Sequence, residues 1–294
     1  MFAGNLQAAA DTLKFEAVVQ HSEKEFEFYE VFEHIKNSRS IELPLSYEIH
    51  LPHFPPVDIL GYTIDLSPTK HSFFLVLCGV LLTIVAVYTA LSYKKRIVPK
   101  GFASLMEIMV LFIRDEIILP NMGKDGLRYA PYLLTTFFYI LFMNLAGLVP
   151  YGSTATSNIM VTGGLAIIAF FMIQISAIRS QGLGHYLAHL TGGAPWFLWP
   201  IMIPSEILGL FTKPFALCMR LFANMTGGHM VIISLLGLIL MFRSIFVAPL
   251  PILFVIGIYM LELFVAFLQA YVFTMLTALF MGVGIQAGKS NESH

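Results

Sequence analysis

A chain of 294 residues could hold two soluble domains, yet 57% of its side chains are hydrophobic and only 12% are charged, with a mean hydropathy of +0.77. Lipid is therefore its main solvent, and a water-soluble globular fold is excluded. The net charge of -1 hides an asymmetry: residues 1–70 carry 11 acidic and 5 basic side chains, the remainder 7 and 12. No basic run exceeds Lys94-Lys95-Arg96 and no aromatics interleave with cations, which excludes a nucleic-acid partner.

In chain order, residues 1–70 form an acidic extramembrane extension, with one modest helix expected near 12–37 and an extended or turn-rich arm after it. No cationic stretch followed by a long apolar core opens the chain, so no cleavable signal is expected. The membrane domain spans 71–288, and its first crossing helix is 71–92, long enough for roughly 30 Å of hydrocarbon. The positive-inside rule sets Lys94-Lys95-Arg96 on the cytoplasmic side and the acidic extension outside, in the periplasm.

Between about 101 and 119, apolar residues recur at helical spacing while Glu107, Arg114, Asp115 and Glu116 interrupt any continuous span, which predicts an interfacial amphipathic helix. Spans at 132–150 and 159–178 follow, joined by a short polar turn. Two long apolar segments at 201–242 and 250–287 complete the domain. As one helix the last would measure roughly 54 Å, too long to stand upright in the bilayer, so the pair is expected to be a steeply tilted hairpin. Five spans leave the C-terminus in the cytoplasm. The fold class is thus all-α: a polytopic membrane protein with five embedded helices and one lying at the interface.

Glu206, Lys213, Arg220, Asn224, His229, Glu262 and Gln269 sit within that hairpin, and ionisable groups at membrane depth are rare unless they serve a pathway. Arg220 is the sharpest, because a guanidinium keeps its charge and must be offered a carboxylate or water. At 100° per residue Lys213 lies about 20° from Arg220, Glu206 and Asn224 about 40°, and His229 about 180°. Glu262 and Gln269 are seven apart and share a stripe on the other helix. Index sums of 491 for His229 with Glu262 and 489 for Arg220 with Gln269 would let both pairs face across one antiparallel register. A His and a Glu together can stage protons, since their ionisation ranges bracket neutrality; a hydrogen-bonded structural pair is the plainer alternative.

Other features point elsewhere. His185 and His189 are spaced i, i+4 but lie in a Gly-bounded loop without a third ligand. No glycine-rich nucleotide loop is present, and Gly227-Gly228 and Gly282-x-Gly284 are expected to permit close helix approach. Cys78 and Cys218 lie in apolar runs and read as small core hydrophobes. No cofactor or metal is expected. A secondary transporter would show internal repeats, and a membrane metalloprotease an H-E-x-x-H helix; the sequence has neither.

The run Pro214-Phe-Ala-Leu-Cys-Met-Arg220-Leu-Phe-Ala-Asn224-Met, followed by Gly-Gly-His229, resembles the signature of subunit a of F-type ATP synthases. Phe142-Met-Asn144-Leu-Ala-Gly-Leu-Val-Pro150, Thr154-Ala-Thr-Ser-Asn158, Glu206 and Leu268-Gln269-Ala-Tyr-Val-Phe273 extend the resemblance over roughly 58–287. It implies a non-catalytic, proton-translocating stator subunit of the bacterial inner membrane, beside a ring of c subunits and held by peripheral-stalk b subunits. Arg220 then corresponds to the essential arginine, with Asn224 and Gln269 as neighbours. His229 and Glu262 match the outer half-channel, and Glu206 the cytoplasmic end. Many bacterial members have an acidic residue where this chain has His229 and a histidine where it has Glu262, so the pair is exchanged here. The long acidic extension also departs from the common pattern.

Overall fold

The computed structural model describes residues 40–43, 47–50, 57–59, 62–64, 70–95, 101–148, 156, 158–184, 186, 197, 199–242 and 249–292. They belong to two compact units. One is Met1–Lys70 with Gly227–Met260, the other His71–Thr226 with Leu261–His294. The helix expected at 12–37 lies outside the described residues, as do His185 and His189.

In the first unit, where the sequence predicts only an extended, turn-rich arm, two short antiparallel hairpins form. Strand β1 (Ser40–Leu43) pairs with β2 (Tyr47–His50), and β3 (Val57–Ile59) with β4 (Tyr62–Ile64). The registers centre on Ile41 opposite Ile49 and Asp58 opposite Thr63. At three or four residues per strand, each hairpin is far below the size that is stable alone in water.

The second unit is the membrane body and is all-α. Helix α1 (Lys70–Lys95) is apolar on every side, the pattern of a helix solvated by lipid. Helix α2 (Phe102–Phe112) runs through a π turn at Ile113–Ile118 into the short α3 (Leu119–Met122). One face of this segment buries Met106, Ile113, Ile117, Ile118 and Met122, while Arg114, Asp115 and Glu116 are exposed. The Arg114 side chain donates through Nε to Asp115 at 2.7 Å, a contact that holds the Asp115 carboxyl below its ordinary range. This amphipathic segment is not among the five helices that, among the described residues, are long and apolar enough to cross a membrane.

A 3-10 turn at Lys124–Tyr129 leads into α4 (Ala130–Leu148). This is the central helix: Leu133, Phe137, Ile140 and Met143 are fully buried, and the Phe137 ring meets Phe267 edge-on at 5.8 Å. Helix α5 (Ile159–Gln181) starts at Asn158, whose side chain accepts from the Met160 N–H at 2.9 Å. It ends at Gly182, in the left-handed region at φ 77°. The last two helices are α6 (Trp199–Phe242) and α7 (Pro249–Glu292), each 44 residues or roughly 66 Å long, of which residues 227–242 and 249–260 belong to the first unit. Pro204 and Pro214 sit inside α6 and cannot donate to the carbonyls one turn back.

Three glycines on α7 explain its close seating. A Cβ on Gly282 would collide with the backbone carbonyl of Asn121; on Gly284 it would lie 2.8 Å from the Ala177 Cβ, and on Gly288 2.6 Å from the Ser180 Oγ. Polar side chains fasten the same contact: Gln181 Nε2 donates to the Gly284 carbonyl at 2.8 Å and Ser180 Oγ to the Ile285 carbonyl at 3.1 Å. Small residues thus admit the neighbouring backbone, as expected of Gly282-x-Gly284, and hydrogen bonds lock the approach; at Gly227, where the same is expected, a Cβ would meet nothing within 4 Å among the described residues.

Candidate functional site

The stretch of α6 around Arg220 has two sides. Leu217, Cys218, Leu221 and Met225 are buried, and Thr162 Oγ1 lies 3.4 Å from the Cys218 sulfur, which fixes this side against α5. Ala216, Arg220, Ala223 and Asn224 are exposed. Arg220 therefore sits at the rim of the packed side, with the small side chains of Ala216 and Ala223 beside it on the open one. Among the described residues it forms no salt bridge; the ion pair found there is Arg114 with Asp115.

The face carrying Asn224 and Lys213 turns toward α7. Asn224 Nδ2 donates to Gln269 Oε1 at 2.9 Å, and Lys213 Nζ stands 4.8 Å above the Phe280 ring. Both pairs have an index sum of 493, so the two helices run antiparallel here in one register. This corrects the expected register: Gln269 meets Asn224, one turn along from Arg220. The sum of 489 lies four below the observed 493, one helical turn, because index sums fix an antiparallel alignment only to within a turn.

Gln269 is 1% exposed and Glu262 3%, and both lie on one buried stripe of α7 with Ala266, Ala270 and Phe273. Among the described residues the Gln269 Nε2 has no hydrogen-bond partner, so this amide holds Asn224 with one end and keeps a donor in reserve at the other. In the observed register Glu262 stands roughly 16 Å along the helix axis from the level of Arg220, on the side of the α6–α7 connection. Glu206 is 14 residues before Arg220 on α6, roughly 21 Å in the opposite direction. The side chains of Glu206 and His229 are outside the described residues, and His229 belongs to the other compact unit.

The sequence reading gave Asn144 no role of its own, and the structure gives it one. Fully buried on α4, it donates through Nδ2 to the Ala266 carbonyl at 3.2 Å and accepts at Oδ1 from Thr156 Oγ1 at 3.1 Å. It thus ties the turn before α5 to α7 one turn from Gln269. The signal was an asparagine inside an otherwise apolar run, which a membrane helix tolerates only where the amide is paired.

Five long apolar helices, a short amphipathic segment and a cation exposed on an apolar helix beside a part-buried amide pair define a polytopic membrane protein. The model for the ATP synthase A chain matches residues 72–282. Over 278 residues the chain is 47% identical to ATP synthase subunit a of Myxococcus xanthus, covering 86% of this chain and 91% of that one. It is 50% identical over 245 residues to ATP synthase subunit a of Chloroherpeton thalassium, 82% of this chain and 72% of the relative. With ATP synthase subunit a 2 of Chlorobaculum tepidum it shares 47% over 268 residues, 90% and 75% of the two chains. The chain belongs to the ATP synthase subunit a family.

Proposed function

We propose that this protein is the non-catalytic, proton-translocating stator subunit of an F-type ATP synthase in a bacterial inner membrane. It works beside a rotating ring of c subunits and is braced by peripheral-stalk b subunits. The observation that carries the reading is Arg220: exposed on an apolar helix, without a salt bridge among the described residues, and flanked by Ala216 and Ala223. A permanent cation presented this way needs an anion from outside the chain. A carboxylate carried past on a neighbouring helix would supply it, and the two alanines leave room for that helix to approach.

In this reading Arg220 attracts the ionised carboxylate of each passing rotor subunit and, being unable to lose its proton, blocks a direct leak. Asn224 and Gln269 position the region around it. Glu262 and His229 serve the outer half-channel, where the exchanged order of acid and imidazole keeps one group of each type, and Glu206 serves the cytoplasmic one. The displacement of Glu262 and Glu206 along the axis, to opposite sides of Arg220, supports two offset paths. Each proton driven through about 100 mV contributes roughly 2.3 kcal/mol, so several must pass for one phosphorylation at distant nucleotide sites. The acidic extension would lie in the periplasm and the C-terminus in the cytoplasm.

Arg220→Ala tests the reading in inverted membrane vesicles holding the assembled complex. Proton-driven ATP synthesis should vanish while the variant inserts and co-purifies with its partners. Synthesis at the wild-type rate would remove Arg220 from the mechanism.

A further inference from the structure

A second polar site lies at the far end of the membrane body. A cavity of about 280 Å³ is lined by Asp125, Arg128, Tyr129, Arg179, Ser180 and the α7 backbone around Gly288. Among the described residues two guanidiniums face it against one carboxylate, an excess of positive charge. Ser180 spends its hydroxyl hydrogen on the Ile285 carbonyl, so the oxygen it shows the cavity is an acceptor, and the arginines supply the donors.

The depth of the cavity identifies its occupant. The apolar spans it touches begin at Lys124 and end at Gln181 and Gly288, so every lining residue falls within about two turns of a span end, where headgroups replace acyl chains. Lys94-Lys95-Arg96 closes α1 after one crossing, and the next crossing begins at Lys124; both therefore lie on the same face, the one that the positive-inside rule makes cytoplasmic. That leaflet carries the anionic lipids, and basic pockets between helices there suit phosphate headgroups. We infer that Arg128 and Arg179 hold the phosphodiester of an anionic phospholipid across the base of α5 and α7. Guanidinium forks match phosphate oxygens two at a time, and a bound headgroup would add a bridge to the hydrogen-bonded contact at Ser180 and Gln181. The site is separate from Arg220 and does not depend on the proton-path reading.

The assembled complex, purified in detergent with phosphatidylglycerol as the probe, tests this by mass spectrometry of retained lipid. Wild type should retain phosphatidylglycerol over phosphatidylcholine, and each of Arg128→Gln and Arg179→Gln should weaken retention about fivefold, the effect of one cation near an anionic surface. The Arg128→Lys, Arg179→Lys variant keeps both charges but loses the forks and should retain lipid at a level between wild type and the glutamine variants, which covers the case of a glutamine variant failing to assemble. Equal retention by the wild-type and glutamine complexes, or loss of lipid from the lysine variant as severe as from the glutamine one, would overturn the site. So would complete displacement by inorganic phosphate, which would make the ligand a free anion.

Discussion

The base of α7 and the middle of α6 are both long apolar sequences interrupted by few polar groups, yet they meet their surroundings in opposite ways. From Gly282 to Gly288 the α7 backbone is pressed against Asn121, Ala177 and Ser180 with no space for even a methyl group. Around Arg220, α6 buries Leu217, Cys218, Leu221 and Met225 on one side and leaves Ala216, Arg220 and Ala223 exposed on the other. Packing of the first kind fixes a backbone and permits no sliding. In the proposed function, an open face bearing a cation with no ion pair among the described residues is where a partner from outside the chain passes. A fixed frame behind a passing surface is what a stator requires: the guanidinium must stay in place while its anions change.

The sharpest way to break this contrast is to overfill the frame. Gly282→Val sets branched carbons against the Asn121 carbonyl, which belongs to the backbone and cannot swing aside. We expect loss of most inserted, protease-resistant protein, whereas Ala223→Val on the open face of α6 should insert normally. Equal yields for the two would show that the base of α7 is no tighter than the exposed face of α6.

Such tightness was partly legible in the sequence. Hydropathy and helical length alone place all five spans within a few residues of the helices observed, because in lipid the backbone has no alternative to helix. Gly282 and Gly284 announced a close approach for the same reason: only small residues let helix backbones touch. The hairpins at Ser40–His50 and Val57–Ile64 were not legible, since three- and four-residue strands barely rise above the surrounding turns. In the site, helical phase put Arg220, Lys213 and Asn224 on one side of α6, and the contacts to α7 place Lys213 and Asn224 together on the side facing that helix. The register slipped by one turn because index sums fix alignment only to within a turn, and amide pairing decides the remainder.

A smaller effect is expected at Asn144, which joins the two regions through the Ala266 carbonyl. Asn144→Ala strands the Thr156 hydroxyl and removes the second bond to the Ala266 carbonyl, which keeps its partner inside the helix, and should cost about 1–3 kcal/mol, the range for a stranded buried polar group. Thermal unfolding of the detergent-solubilised complex measures it. Thr156→Val removes one bond and leaves the tie to α7, so it should cost less. The reverse order would mean that Asn144 serves the turn rather than the positioning of α7.

The smallest and most informative effect concerns Asn224 and Gln269. Hydrogen bonds between membrane helices average about 0.6 kcal/mol in double-mutant cycles, rarely exceeding about 1.7, so Asn224→Ala and Gln269→Leu should barely change stability. Their coupling should instead appear in function. If the amide pair holds the surroundings of Arg220, either single variant lowers proton-driven synthesis, and the double variant falls no further than the worse single one. If each amide acts alone, by hydrogen bonding to whatever passes Arg220, the two losses multiply. Synthesis rates of the four proteins, normalised to assembled complex, separate these cases. A multiplicative result would uncouple the frame from the open face and make Gln269, with its unused donor, a participant in its own right.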